Sequence, residues 1–333
     1  ARSWTGPMLR TGADPTGGGA PYPLKAPAVC VVGPTASGKT DLAQTLALEL
    51  GGEVISADSM QIYRGMDIGT GKLPASERLV PHHGFDLVDP GEPFSAALFQ
   101  NYARDRFRAI DARGNRCVLA GGTGFYVRAA VDDYDFPAGE QVGNPVRERY
   151  QALAREQGAE ALWKLLAARD EASASVIPPA DVKRVVRAFE LLEEGTTYAE
   201  QRAKLAHIPQ LVPAVFFGMA VDPDVLRARI DARVDAMVET GLVAEVEGLL
   251  DRGFREGVTA PQAIGYKEIV EALDGFISLD EAVERIKLAT RRYAKRQRTW
   301  FRKDARIRWL DATSRDIPSL VEEALELLDD GVA

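Results

Sequence analysis

Two cysteines in 333 residues, Cys30 and Cys117, are too few for a disulfide framework. Both sit inside apolar runs, AVCVV and CVLAGG, that read as buried strands, so inert core thiols and a reducing, cytoplasmic setting are expected. No apolar run approaches the roughly 18 residues that a membrane span needs, and the N-terminus has no signal-peptide hydrophobic region, which excludes a membrane partner at this stage. Positive charge is also in deficit: 41 Lys and Arg against 49 Asp and Glu give a net charge of −8 and a pI near 5.2. As an average this argues against a nucleic-acid partner, but an average conceals any patch in which cations gather.

What is present is ordinary globular material, 46% hydrophobic and 27% charged, with length for two domains or one core with a large insertion. Residues 1 to 27, rich in Gly, Pro and Thr without periodicity, read as a disordered leader. From Ala28 the pattern is strand, Gly-rich turn, helix: AVCVVG, PTASGKT, then Leu42, Leu46 and Leu50 at helical spacing before Gly51-Gly52. Further strand-like runs are EVISAD, FDLV (85 to 88), CVLAGG (117 to 122), AVFFGMAV (214 to 221) and RIRWL (306 to 310). Buried runs alternating with helices imply an α/β protein, a mostly parallel sheet with helices on both faces.

Strand signals vanish between Asp133 and about Pro213, where helices are expected over 147–155, 160–168 and 181–194, the last capped by Asp181 and ended by Gly195. The expected organisation is therefore a first core segment (28–137), a helical insertion (138–210), a second core segment (211–313) and a C-terminal helix or tail (314–333).

Gly33-Pro34-Thr35-Ala36-Ser37-Gly38-Lys39-Thr40 fits GxxxxGK[ST] between a strand and a helix, the pattern of a phosphate loop. Its backbone N–H groups and the helix N-terminus suit phosphate oxygens, Lys39 adds charge, and the Thr40 hydroxyl suits Mg²⁺. The loop alone does not say which phosphate compound binds. Asp58 ends the second strand, where ligands of open parallel sheets gather; a carboxylate there can take a proton, hold magnesium through water, or merely cap the next segment. Gly121 to Gly124 end another strand, where small residues would admit a ligand and Thr123 offers a hydroxyl. The helix after Asp222-Pro223 carries Arg227, Arg229 and Arg233, either a solvated face or cations for a leaving diphosphate.

Residues 285 to 308 hold eleven Lys or Arg and a single acid, Asp304. Arg291, Lys295, Arg298 and Arg302 share a helical face, with Tyr293, Trp300 and Phe301 interleaved, a pattern able to track a phosphate backbone.

These motifs resemble the tRNA dimethylallyltransferases of the bacterial type, also called tRNA isopentenyltransferases. The matching blocks are GPTASGKT, ISADSMQIYRGMDIGT, VPHH, PFSAALF, GGTGFY, DVKRVVRAFE, AIGYKE and TRRYAKRQRTWFR, which with their intervals span about residues 28 to 311. Gly71 and Leu73 depart from the family's more frequent Ala and Pro, and Leu98 from a frequent Asp. No Cys₂His₂ extension of the eukaryotic kind follows Leu310.

The resemblance implies a P-loop core of the NTPase type, Mg²⁺ as cofactor, and a channel where an adenine of the tRNA anticodon loop meets dimethylallyl diphosphate, in a monomer. It implies Asp58 as general base, aided by Thr123 and an arginine, for which Arg229 is selected. Gly33, Thr35, Ala36, Ser37, Gly38, Lys39 and Thr40 would hold diphosphate. Contacts to tRNA would come from Asp58, Ser59, Met60, Gln61, Thr123, Arg147, Lys183, Arg184 and Arg187, then from Gly265, Tyr266, Lys267, Lys295, Arg296, Arg298 and Arg302. Two competing readings are a P-loop kinase with the basic segment as a lid, which must turn over ATP, and a non-enzymatic RNA-binding module, which must tolerate loss of Asp58.

Overall fold

The protein is described here from a computed structural model covering residues 22–136, 144–206 and 208–330. The chain divides into two compact units, one of residues before Asp133 and after Gln210, the other of residues between them.

The first unit is built on six parallel strands: β1 (Ala28–Val32), β2 (Gly52–Ser56), β3 (His82–His83), β4 (Arg116–Gly121), β5 (Ala214–Ala220) and β6 (Ile307–Asp311). Their order is β3-β2-β4-β1-β5-β6. Every residue of β1 is buried, as a central strand covered on both faces requires. It pairs with β4 through Val29 and Val118 and with β5 through Ala28 and Ala214. From β1 the chain winds first to one side and, after β4, to the other, so the carboxyl end of β1 lies where the winding reverses, the position at which such sheets bind ligands.

Two boundaries differ from the sequence reading. The third strand is His82–His83, beside Val54 and Ile55, rather than residues 85 to 88. Gly84 donates its N–H to the Tyr102 hydroxyl and Asp86 takes a left-handed φ of 55°, so Leu87 donates to Ile62 instead of joining the sheet. The expected leader lies outside the described residues up to position 21, but from Tyr22 the chain is packed: the buried Tyr22 hydroxyl donates to the Arg104 carbonyl at 2.7 Å, and the Lys25 N–H to Asp111 at 2.9 Å. At the other end the expected C-terminal element is the Ile317–Asp330 helix, which buries Leu320, Val321, Ala324 and Leu328 in the core and packs on the Lys39–Glu49 helix.

The second unit has its own core. Tyr150 stacks on Phe189 with centroids 3.9 Å apart, surrounded by Leu162, Leu166, Val185 and Val186. Helices Pro145–Gln157, Ala159–Arg169 and Val182–Glu193 stand where the periodicity puts them, and Asp181 caps the last by accepting the Arg184 N–H at 3.1 Å. Two short helices, Glu171–Val176 and Tyr198–Ala206, have too few apolar positions to announce themselves. Among the described residues no helix is long and apolar enough to cross a membrane.

Candidate active site

The phosphate loop follows β1 directly. Ala36 (φ 61°) and Gly38 (φ 84°) take left-handed conformations on either side of Ser37, the alternation that turns successive N–H groups inward to form an anion-binding hollow. Ser37 is itself buried, and Gly38 begins the Lys39–Glu49 helix, whose N-terminal dipole reinforces the attraction. A cavity at the carboxyl edge of the sheet is lined by Thr35, Lys39 and Thr40, by Asp58 and Gln61, and by Arg233. Val54, His82 and Phe85 also line it.

Cations and carboxylate interact across this space. Burial lowers the Lys39 pKa to about 8; the Asp58 charge opposes that shift and Arg233 adds to it. Burial also lowers the pKa of Arg233, against the pull of Asp58 and Asp41. Asp58 follows β2 and is oriented by its own turn, its Oδ1 accepting the Met60 N–H at 2.9 Å. Thr123, in the turn after β4, lies beside it, its hydroxyl accepting the Ser59 N–H at 3.1 Å. Gln61 accepts from the Ser56 hydroxyl at 2.7 Å and donates to the carbonyls of Thr70 and Gly71, so its amide clamps the 70–71 turn against β2.

The arginine at this cavity is Arg233, not Arg229. Arg229 donates to the carbonyls of Ala312 and Thr313 at 3.1 and 3.0 Å and is thereby committed to the end of β6. Arg233 stands one turn further along the Pro223–Glu239 helix. Gly71 leaves it room, since a Cβ there would lie 1.6 Å from the guanidinium.

The small residues of the turn after β4 serve two neighbours: Gly121 lines the cavity, whereas Gly122 and Gly124 admit the protein's own Leu279–Phe301 helix, since a Cβ on Gly122 would lie 2.2 Å from the Gln297 amide and one on Gly124 would lie 2.1 Å from the Trp300 ring.

Residues expected at the tRNA fall into two sets. Arg147 and Arg187 are held within the helical unit by one buried carboxylate, Glu190, at 2.6 and 2.9 Å. Burial alone would raise the pKa of Glu190, but hydrogen bonds from the two guanidiniums outweigh it and hold the carboxyl below its ordinary value. Arg184 pairs with Asp181, and Lys183 is exposed.

In the first unit, Gly265 (φ 97°) caps the Tyr266–Leu273 helix and Lys267 is exposed beside Glu271. Tyr266 is fully buried, its hydroxyl 2.5 Å from a Glu245 carboxylate that also accepts the N–H groups of Asp67, Ile68 and Gly69. That tyrosine is a buried anchor for the 67–69 turn, not a surface contact. On the Leu279–Phe301 helix, Arg291 pairs with Asp231, whereas Lys295, Arg296, Thr299 and Trp300 line an open surface groove with Arg292 and Lys303. Arg298 lies on the same helix, and Arg302 caps its C-terminal end, exposed.

The family model for IPP transferase matches residues 61–304, and that for isopentenyl transferase matches residues 27–81. The chain belongs to the IPP transferase family.

Curated relatives in it include a tRNA dimethylallyltransferase of Kineococcus radiotolerans, 47% identical with 91% of this chain and 96% of the relative covered. Another is the tRNA dimethylallyltransferase of Nocardia farcinica, 44% identical, with 92% of this chain and 96% of the relative covered. Among solved structures, the full-length tRNA isopentenylpyrophosphate transferase of Bacillus halodurans is 42% identical with a TM-score of 0.66, covering 92% of this chain and 98% of its own. A eukaryotic dimethylallyltransferase described as acting on tRNA is 28% identical with a TM-score of 0.73, covering 87% of this chain and 75% of its own.

Within this family member, no group of three or more His, Cys, Asp or Glu side chains able to hold a metal occurs among the described residues. The oxygen donors at the cavity include the Thr40 hydroxyl and the Asp58 carboxylate. Such a sparse set suits Mg²⁺, which keeps several waters and shares phosphate oxygens, and does not suit a caged transition metal. In the sequence Arg233 is one of three equivalent candidate arginines, while Gln297 escapes it, its only sign being a polar residue in register with the buried stripe of its helix.

Proposed function

We propose that this protein transfers a dimethylallyl group from dimethylallyl diphosphate to the N6 amine of adenine 37, beside the anticodon of tRNA, and releases diphosphate. The observation that carries this reading is one cavity holding a phosphate loop, a second cation in Arg233, and a carboxylate, Asp58, that is free of any ion pair among the described residues. A kinase also needs the loop. The groove of exposed cations on the Leu279–Phe301 helix and the kinship to tRNA-acting enzymes favour tRNA as acceptor.

In the reaction the allylic C1–O bond breaks, its electron pair leaves with diphosphate, and the adenine N6 forms the new bond to C1. Negative charge grows on the leaving group, where the loop N–H groups, Lys39 and Arg233 stabilise it. Thr40 would hold Mg²⁺, which would supply further charge neutralisation. The N6 lone pair is delocalised into the ring, so attack is assisted if Asp58 takes the proton as the bond forms. Both substrates meeting in one cavity supplies orientation, and a flipped base filling its mouth keeps water from the allylic centre. The working unit is a single chain in a reducing, cytoplasmic setting, which suits its two buried free thiols.

The test is prenyl transfer to tRNA by purified protein with Mg²⁺ and dimethylallyl diphosphate, followed by nucleoside mass spectrometry. Product at N6 of adenine 37 and no ATP hydrolysis is the expected result, and saturable ATP turnover without prenyl transfer would overturn the proposal. In single-turnover measurements with saturating substrates, Asp58→Asn should lower the rate by roughly 10² to 10⁴ with substrate affinities nearly intact. Rates near wild type would remove Asp58 from the role of base, and recovery at high Mg²⁺ would assign it to the metal.

A further inference from the structure

The buried face of the Leu279–Phe301 helix, otherwise Ala282, Ile286, Ala294 and Phe301, carries one amide, Gln297. It is only 5% exposed. Its Oε1 accepts the Thr35 N–H at 2.9 Å and its Nε2 donates to the Gly122 carbonyl at 2.9 Å. One side chain thus joins the phosphate loop after β1 to the turn after β4, which are adjacent strands of the sheet. Burial pushes the hydroxyl pKa of Tyr293, one turn earlier, up to about 12, and the neighbouring Thr123 and Gln297 side chains oppose that rise.

A phosphate loop acts by presenting N–H groups to the anion, and the Thr35 N–H is turned to Gln297 instead. Thr35 is therefore the fixed point from which Ala36 and Gly38 swing the following amides inward. A left-handed alanine is unfavourable by itself, so the loop keeps this shape only where its surroundings over-determine it. The loop's C-terminal end is held by the Lys39–Glu49 helix and its first residue by β1; between them the Gln297 amide fixes the Thr35 N–H.

We infer that Gln297 is a positioning residue for the diphosphate: by holding the Thr35 N–H against the Gly122 turn, it sets the phosphate loop in its binding shape before substrate arrives. It touches neither substrate and acts through the loop. This rests on the reading of the cavity as a diphosphate site.

Calorimetric titration of the full chain with inorganic diphosphate and Mg²⁺ tests it. Gln297→Ala should weaken diphosphate binding about tenfold, the order expected from losing hydrogen bonds that preorganise a site. Gln297→Glu gives a signature that a merely structural residue lacks. Ionised, that side chain still accepts from Thr35 but sets an anion against the Gly122 carbonyl; protonated, it has the shape and donor of the native amide. Burial and the facing carbonyl both favour the neutral acid, raising its pKa above the ordinary carboxylate range.

Affinity relative to wild type should therefore be low near pH 8 and recover as pH falls towards about 6. Tyr293, Asp58 and Arg296, whose charges act on Tyr293, and Lys39 of the loop are the ionisable groups nearest this point. Comparison with wild type at each pH cancels their titration. Wild-type affinity in both variants would overturn the inference. So would an equal loss in both at every pH, which would mark a general loosening of the fold. A wild-type protein that binds no diphosphate would overturn the reading of the cavity itself, and this role with it.

Discussion

The Val182–Glu193 helix and the last three turns of the Leu279–Phe301 helix look alike in sequence, each a run of Lys and Arg over a buried apolar stripe. Their charges do opposite things. In the first, Arg187 joins Arg147 on the buried Glu190 and Arg184 joins Asp181, so the cations are committed to holding helices together. In the second, no ion pair is made by Lys295, Arg296, Arg298 or Arg302 among the described residues, although Arg285, Lys287 and Arg291, earlier on the same helix, are paired with Glu271, Asp235 and Asp231. Charge density in a sequence does not separate cations that build a fold from cations that wait for a partner. The position of the nearest carboxylate does.

Three measurements would break or sharpen that distinction. The largest effect is expected from replacing Lys295, Arg296 and Arg298 together by Gln. Affinity for tRNA should drop about 10²-fold at low salt, and the slope of log affinity against log salt should shrink by roughly 0.7 to 0.9 for each phosphate no longer neutralised. Filter binding across a salt series checks this, and an unchanged slope would make these residues an ordinary solvated face.

A smaller effect is expected from Glu190→Gln, which leaves two guanidiniums facing a neutral amide. Denaturant unfolding should show a loss of about 1 to 3 kcal/mol, with little change in the salt slope for tRNA. The folded pKa of Glu190 is depressed, so its contribution is complete above the unfolded carboxylate pKa and is lost as pH falls through the folded value. The gap between variant and wild type should accordingly narrow in acid.

The smallest effect concerns a cation of a third kind, neither paired nor in open water. With its pKa lowered to about 8, Lys39 is charged at neutral pH and loses charge above it. Diphosphate affinity should fall several-fold as pH rises from about 7 to about 9, and Lys39→Arg should flatten that dependence because guanidinium stays protonated. Equal pH profiles for the two proteins would mean that Lys39 is not the titrating group.

These contrasts also mark what was legible in the sequence. The phosphate loop, its flanking strand and helix, and the position of Asp58 could be read because each is a local pattern: glycines where the backbone must turn, apolar runs where it must be buried. The Asp181 cap was readable for the same reason. The assignments that moved all depend on a residue far along the chain. Arg229 and Arg233 are one turn apart on one helix, and what separates them is a pair of carbonyls at 312 and 313. Tyr266 looked like a surface contact until Glu245 and the 67–69 amides enclosed it. Residues 85 to 88 have strand composition, but the donors that would have joined the sheet are taken by positions 61 and 62.

The pairing of β1 bears on how a growing chain acquires its site. β1 emerges from the ribosome with the phosphate loop attached, yet its two neighbours are β4, some 90 residues later, and β5, nearly 190 residues later. Until Ala214–Ala220 has left the ribosome, one edge of this strand has no partner, and the whole second unit must be made in the interval. The Gln297 latch comes later still. Until residue 297 is made the nascent protein therefore carries its most recognisable motif in an unfinished form, and long-range pairing of this kind is slow and open to misassembly. A chain stopped before residue 297 would keep the phosphate-loop sequence and lack the side chain that fixes Thr35.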